Sequence, residues 1–157
     1  MKRFQVKKAV ILAGGLGTRL SSVLPNTVKP MAPINGIPFL EIILMNLMLQ
    51  HIEEVIISVG YKSEQICDYF GYSYFGLKIK YAKEKVLLGT GGAIINACKH
   101  LNNKDPFFVL NGDTFFNVDL GVFSQMAKDQ DAKLSIALFE SEEPRYGDVF
   151  INDKQHL

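Results

Sequence analysis

VKKAVILAGGLGTR, residues 6–19, is the stretch from which the fold is read. Val6 to Leu12 is β-branched and apolar, interrupted only by Lys7 and Lys8, and it runs into Ala13-Gly14-Gly15-Leu16-Gly17. A short apolar run closed by glycines reads as a buried strand entering a turn. Pro38 to Gln50 reads as a helix: Pro38 suits a first turn, and Leu40, Ile43, Leu44 and Leu47 recur at helical spacing. Glu54 to Val59 is the next strand, ended by Gly60, and Ser63 is placed to cap a helix through Phe70. Leu77 to Ala82 alternates as a short strand, and Thr90 is placed to cap a helix from Gly91 to His100. Pro106 to Leu110 is a strand that stops at Asn111-Gly112-Asp113. Val118 to Asp129 reads mostly as helix and Lys133 to Phe139 as another strand. This order predicts an α/β protein, a three-layer α/β/α sandwich with a mainly parallel sheet and right-handed crossovers.

Composition sets the outer bounds. The chain has 157 residues, 17 Lys+Arg against 16 Asp+Glu, 48% apolar and 21% charged residues. That is globular composition, enough for one domain with a core. A net charge of +1 gives no general reason to expect nucleic acid or an acidic membrane as partner. Cys67 and Cys98 match neither a zinc pattern nor a CxxC redox site and read as two reduced thiols. His51, His100 and His156 show no metal-ligand spacing, and Met31, Met45, Met48 and Met126 read as fillers of core or interface. No apolar run approaches the ~20 residues that span a bilayer. The basic start Met1-Lys2-Arg3 lacks a signal-peptide cleavage region, so a cytoplasmic location is the default.

Three clusters carry chemistry. The first is Leu12-Ala13-Gly14-Gly15-Leu16-Gly17-Thr18-Arg19, with Lys29-Pro30 ten residues on. Glycines after a first strand let backbone N–H groups approach and cradle an anion. Thr18 offers a hydroxyl, Arg19 a planar fork for phosphate oxygens, and Lys29 a second cation on a loop able to fold back, stiffened by Pro30. A Walker loop is excluded because no lysine follows the last glycine. A dinucleotide loop is excluded because Leu20 stands where its third glycine belongs and Gly60-Tyr61 where its ribose-binding acid belongs. A ligand-free structural turn is opposed by the clustering of Gly, Thr, Arg and Lys.

The second cluster is Gly89-Thr90-Gly91-Gly92-Ala93 at a predicted helix start. Alone it reads first as a loop that needs positive φ before a capped helix; beside the first loop, a site for a base or ribose gains ground, because both lie at strand-to-helix junctions. Glu84 and Lys85 precede it and either reach that ligand or lie in solvent; Tyr61 and Lys62 pose the same choice. The third is Asn111-Gly112-Asp113, where a carboxylate at a strand end either holds Mg²⁺ between phosphates or closes an Asx turn.

These residues resemble a known family. LAGGLGTRL (12–20), KPMAPINGIPFLE (29–41), SVGYK (58–62), LLGTGGAI (87–94) and LNGD (110–113) are similar to the sugar-phosphate nucleotidyltransferases, the NDP-sugar pyrophosphorylases. Within the family the likeness is to the branch that transfers GMP from GTP to a heptose 1-phosphate; another base or another sugar 1-phosphate, such as mannose or glucose 1-phosphate, is the alternative. The resemblance implies a Rossmann-like sheet of the nucleotidyltransferase (GT-A-like) type over residues 1–157. It implies GTP and a sugar 1-phosphate as substrates and Mg²⁺ as cofactor. It assigns catalysis to Arg19, Lys29 and Asp113, the metal to Asp113, and nucleotide contacts to Leu12, Ala13, Gly14, Gly15, Gly17, Thr18, Glu84, Gly89, Thr90, Asn111 and Gly112.

Family members generally extend further, with a second metal-binding aspartate and an EKP-type lysine that have no counterpart here. Tyr146 to Ile151 reads as the start of a strand, and the chain stops four residues after Asp153. The expectation is therefore a shortened domain that lacks its sugar-binding part, with an open last strand able to pair in a homo-oligomer. A shortened, inactive nucleotide-binding or interaction protein is the reading from a different class.

Overall fold

The computed structural model describes residues 4–15, 26–102 and 105–139. The sequence elements fall largely where their patterns put them. Strand β1 is Lys8–Leu12. A single 3₁₀ turn, Lys29–Met31, leads to two two-residue strands, β2 (Pro33–Ile34) and β3 (Ile37–Pro38), paired antiparallel. Helix α1 is Phe39–Leu49, β4 Glu54–Val59 and α2 Glu64–Phe70. Then come β5 (Ser73–Tyr74), β6 (Leu77–Lys83), α3 (Gly89–Cys98), β7 (Phe108–Asn111) and α4 (Leu120–Asp129).

The main sheet has the order β5-β6-β4-β1-β7. β1 pairs parallel with β4 on one side and β7 on the other, and β4 pairs parallel with β6; only the short β5 is antiparallel. β1 and β4 carry continuous apolar runs because helices cover both faces of the sheet. On one face Ala9, Ile11, Val55, Ile57 and Ile79 pack against Leu40, Leu44 and Leu47 of α1, Ile66 and Phe70 of α2, and Leu120 of α4. On the other, Val10, Ile56 and Ala82 meet Ala97 of α3. The chain is thus the predicted three-layer α/β/α sandwich.

Side-chain hydrogen bonds join the first layer. The Gln50 side chain, just after α1, accepts from the Leu120 N–H at 2.7 Å. The Asp119 carboxylate caps α4 by accepting from the Val122 N–H at 2.9 Å. Glu41 of α1 accepts from the hydroxyls of Tyr69 and Tyr74 at 2.7 and 2.5 Å. Burial first, and then that bond, push the Tyr74 phenol up to about 12.

Several expectations are corrected. Residues 133–138 form no strand: Leu134, Ile136 and Leu138 alternate as expected, but they face outward and join no ladder among the described residues. Side-chain alternation needs a hydrogen-bonding neighbour to become a strand. Thr90 does not cap α3, which starts at Gly89, two residues before the expected Gly91, with Leu88 in the capping position and no side-chain bond there. That helix ends at Cys98 rather than His100. Ser63 occupies its capping position without a side-chain bond, because its own backbone is already helical. Pro38 stands just before α1, and α4 begins at Leu120 rather than Val118. Met31 and Met48 pack against the core as expected, whereas Met45 and Met126 face outward. The strand expected at Tyr146–Ile151, and the subunit pairing read from it, lie outside the described residues. No helix among the described residues is long and apolar enough to cross a membrane.

The packing of α1 yields a direct check. Leu44 is fully buried and Leu49, on the same helix, is 79% exposed. Leu44→Ala is expected to lower the unfolding free energy by about 3 kcal/mol. Leu49→Ala is expected to change it by less than about 0.5 kcal/mol. Urea unfolding followed by circular dichroism measures both.

Candidate functional site

Because β1, β4, β6 and β7 are parallel, their C-terminal ends lie along one edge of the sheet. In such sheets, ligands bind beyond the carboxyl ends of the strands. The ladder here continues past the strands themselves. The Ala13 N–H donates to the Ser58 carbonyl at 2.9 Å, and the Gly112 N–H donates to the Leu12 carbonyl at 2.8 Å. The first glycine loop is thereby pinned on both sides, to the end of β4 and to the end of β7.

Close backbone approach explains two glycines. A Cβ on Gly60 would stand 2.8 Å from the Gly14 carbonyl oxygen, and one on Gly112 would stand 3.0 Å from the Leu12 carbonyl oxygen. Neither backbone atom can swing away as a side chain would. Gly15, by contrast, has open space around its missing Cβ. It presents bare backbone outward, the arrangement an anion cradle requires.

The charged groups converge at the same edge. Lys29, in the 3₁₀ turn, pairs with Asp113, two residues beyond β7. Lys29 therefore does stand at this edge, meeting a residue that lies 84 positions away in the chain. Asp113 also accepts from the Thr114 hydroxyl at 3.3 Å. Pro30 is buried beneath the turn and limits its freedom.

Glu84 follows β6 directly. Its N–H donates to the Val59 carbonyl at 2.8 Å. Its carboxylate accepts from the Ser58 hydroxyl at 2.8 Å and from the Leu88 N–H at 3.1 Å. The same carboxylate lies under the first loop, where a Cβ on Gly14 would meet Glu84 Oε1 at 2.6 Å. Gly60, Tyr61, Glu84, Lys85, Val86 and Leu87 line an open cleft of about 340 Å³.

The expected site residues therefore separate into groups. Leu12, Ala13, Gly14 and Gly15 share the central strand end with Asn111, Gly112 and Asp113. Lys29 joins them through Asp113. Glu84 lies against Gly14 and ties to Leu88, the residue that precedes Gly89 and Thr90. Gly89 has φ of 68°, and Thr90 is exposed in the first turn of α3. Gly17, Thr18 and Arg19 lie outside the described residues. Ser58 was not among the candidates. Its signal was available: it is a hydroxyl near the end of the otherwise apolar run VIISV, two residues before a glycine.

Comparison with known proteins identifies the family. The nucleotidyl transferase family model matches residues 8–157, and the chain belongs to that family. A D-glycero-alpha-D-manno-heptose 1-phosphate guanylyltransferase of Campylobacter jejuni is 47% identical over 148 residues, covering 94% of this chain and 64% of the relative. One of the same name from Aneurinibacillus thermoaerophilus is 44% identical over 149 residues, with the same shares. The chain thus spans a little under two-thirds of the length of these relatives. A crystal structure of HddC from Yersinia pseudotuberculosis complexed with GMP-PN superposes with a TM-score of 0.70 at 40% identity, covering 79% of this chain and 55% of that one. A UDP-glucose pyrophosphorylase complexed with UDP-glucose has a TM-score of 0.69 at 23% identity, covering 81% of this chain and 55% of that one, and shares the fold.

Gly60→Ala is expected to destabilise the protein by about 1–3 kcal/mol, because the new methyl group displaces the Gly14 carbonyl. Gly15→Ala, which meets nothing, is expected to leave the thermal midpoint within about 2 °C of the parent, a stability change of less than about 0.5 kcal/mol. Calorimetric melting of the two variants checks the contrast.

Proposed function

We propose that residues 1–157 form one nucleotidyltransferase domain that takes part in guanylyl transfer from GTP to D-glycero-α-D-manno-heptose 1-phosphate, giving GDP-heptose and pyrophosphate. The observation that carries this reading is the convergence of the first glycine loop, Lys29 and Asp113 at the ends of β1 and β7. The guanine and heptose assignments draw on the two relatives of that name.

The transfer is a displacement at phosphorus. An oxygen of the sugar 1-phosphate forms a bond to the α-phosphorus of GTP, and the bond from that phosphorus to the bridging oxygen of pyrophosphate breaks in line. No covalent bond to the protein is required, so catalysis rests on position and charge. Backbone N–H groups around Gly14, Gly15 and Gly17 cradle the triphosphate, with Thr18 and Arg19 as side-chain donors. Lys29 turns from Asp113 to the phosphates. The second loop, Gly89 and Thr90, borders the base and ribose.

Asp113 is a suitable Mg²⁺ ligand. Its carboxylate is accessible at a strand end, held by Lys29 and Thr114. No group of three metal-ligating side chains occurs among the described residues. One carboxylate suits Mg²⁺ when substrate phosphates supply the other oxygens. When bound, the ion neutralises charge shared between those phosphates. Because GTP and sugar phosphates are cytoplasmic metabolites, the reading places the chain in the cytoplasm, in nucleotide-sugar supply for a surface polysaccharide such as a capsule.

A mannose-1-phosphate guanylyltransferase of Mycobacterium tuberculosis, 38% identical over 138 residues, favours the same chemistry on another sugar as a second reading. The test is pyrophosphate release with Mg²⁺, each common nucleoside triphosphate, and heptose or mannose 1-phosphate, beside a GTP-binding titration. Release with GTP and heptose 1-phosphate alone is expected. Release with mannose 1-phosphate instead selects the second reading, and binding without release reduces the assignment to nucleotide binding. Arg19→Ala and Lys29→Ala are each expected to weaken GTP binding by about tenfold or more, the effect of losing a charge-assisted phosphate contact. Their thermal midpoints are expected to stay near that of the parent. Unchanged affinity in both variants would contradict the phosphate assignment.

A further inference from the structure

We propose that Ser58 is a positioning residue for nucleotide binding, acting through Glu84 to hold the two glycine loops at a set separation. The proposal rests on the nucleotide-binding reading above and adds to it a group that touches no substrate.

Ser58 is one of two buried polar residues among those described, the other being Ser124. Ser124 Oγ donates to the Leu120 carbonyl one turn back in its own helix. Ser58 has no such local use. Its hydroxyl crosses from β4 to Glu84 Oε1 at 2.8 Å, while its carbonyl holds the Ala13 N–H at 2.9 Å. One residue therefore grips the first loop by its backbone and the approach to the second by its side chain.

Glu84 completes the connection. Oε1 takes the Ser58 hydroxyl and lies where a Gly14 Cβ would be, and Oε2 takes the Leu88 N–H ahead of Gly89. A carboxylate at the wall of an open cleft has other rotamers available, and it gives up side-chain entropy to stay in this one. The buried hydroxyl supplies a fixed donor that opposes that loss. An alanine at position 58 removes that donor and leaves the Glu84 carboxylate held by the Leu88 N–H alone. A nucleotide held between the two loops loses affinity when Glu84 no longer fixes their separation.

The test is a double-mutant cycle on the full 157-residue chain, read by GTP–Mg²⁺ affinity in calorimetry and by thermal melting. Ser58→Ala is expected to weaken GTP about five- to tenfold, the scale of one hydrogen bond to a charged group. The melting temperature is expected to stay near that of the parent. Glu84→Ala is expected to weaken GTP by at least as much, and adding Ser58→Ala to it is expected to cost nothing further. A Ser58 role confined to strand stability would instead lower the melting temperature, add to Glu84→Ala, and leave GTP affinity unchanged at temperatures where the variant is folded. That result overturns the proposal. Ser58→Cys, which keeps the size and a weaker donor, is the second variant if Ser58→Ala does not fold, and it is expected to fall between the two. If the unaltered chain binds no GTP, the nucleotide reading itself fails and the proposal with it; normal parental binding with an indifferent Ser58 removes the proposal alone.

Discussion

The pairing of β1 on both sides is the constraint on which the rest of the structure depends. Lys8–Leu12 is hydrogen-bonded to β4 and to β7, and covered above and below by helices. A strand so placed must be apolar on both faces and must leave the sheet abruptly. VILAGG does both. The ladder bonds continue into the loop, through Ala13 and Gly112. The glycine backbone therefore stands at a defined height above the sheet rather than on a free loop. Parallel pairing then brings the ends of β4, β6 and β7 to the same edge, and every chemical group of the site follows from that placement.

The charges illustrate the consequence. Lys29 and Asp113 belong to segments that are remote in sequence and are unrelated in local structure, one a 3₁₀ turn and the other a strand exit. They meet because the strand exit of β7 and the 3₁₀ turn lie at the same edge of the sheet. An exposed pair of this kind contributes at most about 1 kcal/mol to stability. The proposed function gives the pair another purpose, as two groups held near each other, one for a phosphate and one for a metal ion.

Much of this was legible in the residues themselves. β1, α1, β4 and β6 declared themselves by apolar run or helical spacing, and the glycine loops by their position after strands. What could not be read locally was whatever depends on a neighbour. Leu134, Ile136 and Leu138 have strand alternation, but no adjacent ladder among the described residues makes them a strand. Thr90 looked like a cap, yet the helix begins at Gly89, with the Leu88 N–H bonded to Glu84 instead. The use of Ser58 depends on a partner 26 residues away. Gly60 reads as a simple strand terminator until the Gly14 carbonyl is seen 2.8 Å from where its Cβ would be. The cluster at Gly14, Lys29 and Asp113 was inferred from residue types, and its geometry comes from the sheet.

The central claim is that the carboxyl edge of β1, β4 and β7 is the nucleotide site. Hydrogen–deuterium exchange with and without saturating GTP–Mg²⁺ tests it most directly. The account predicts slowed exchange at residues 12–15, 84–90 and 111–114, with the β5 edge and the exposed face of α4 unchanged. Protection confined to those distant surfaces, or no protection at the strand ends despite measured GTP binding, would contradict it.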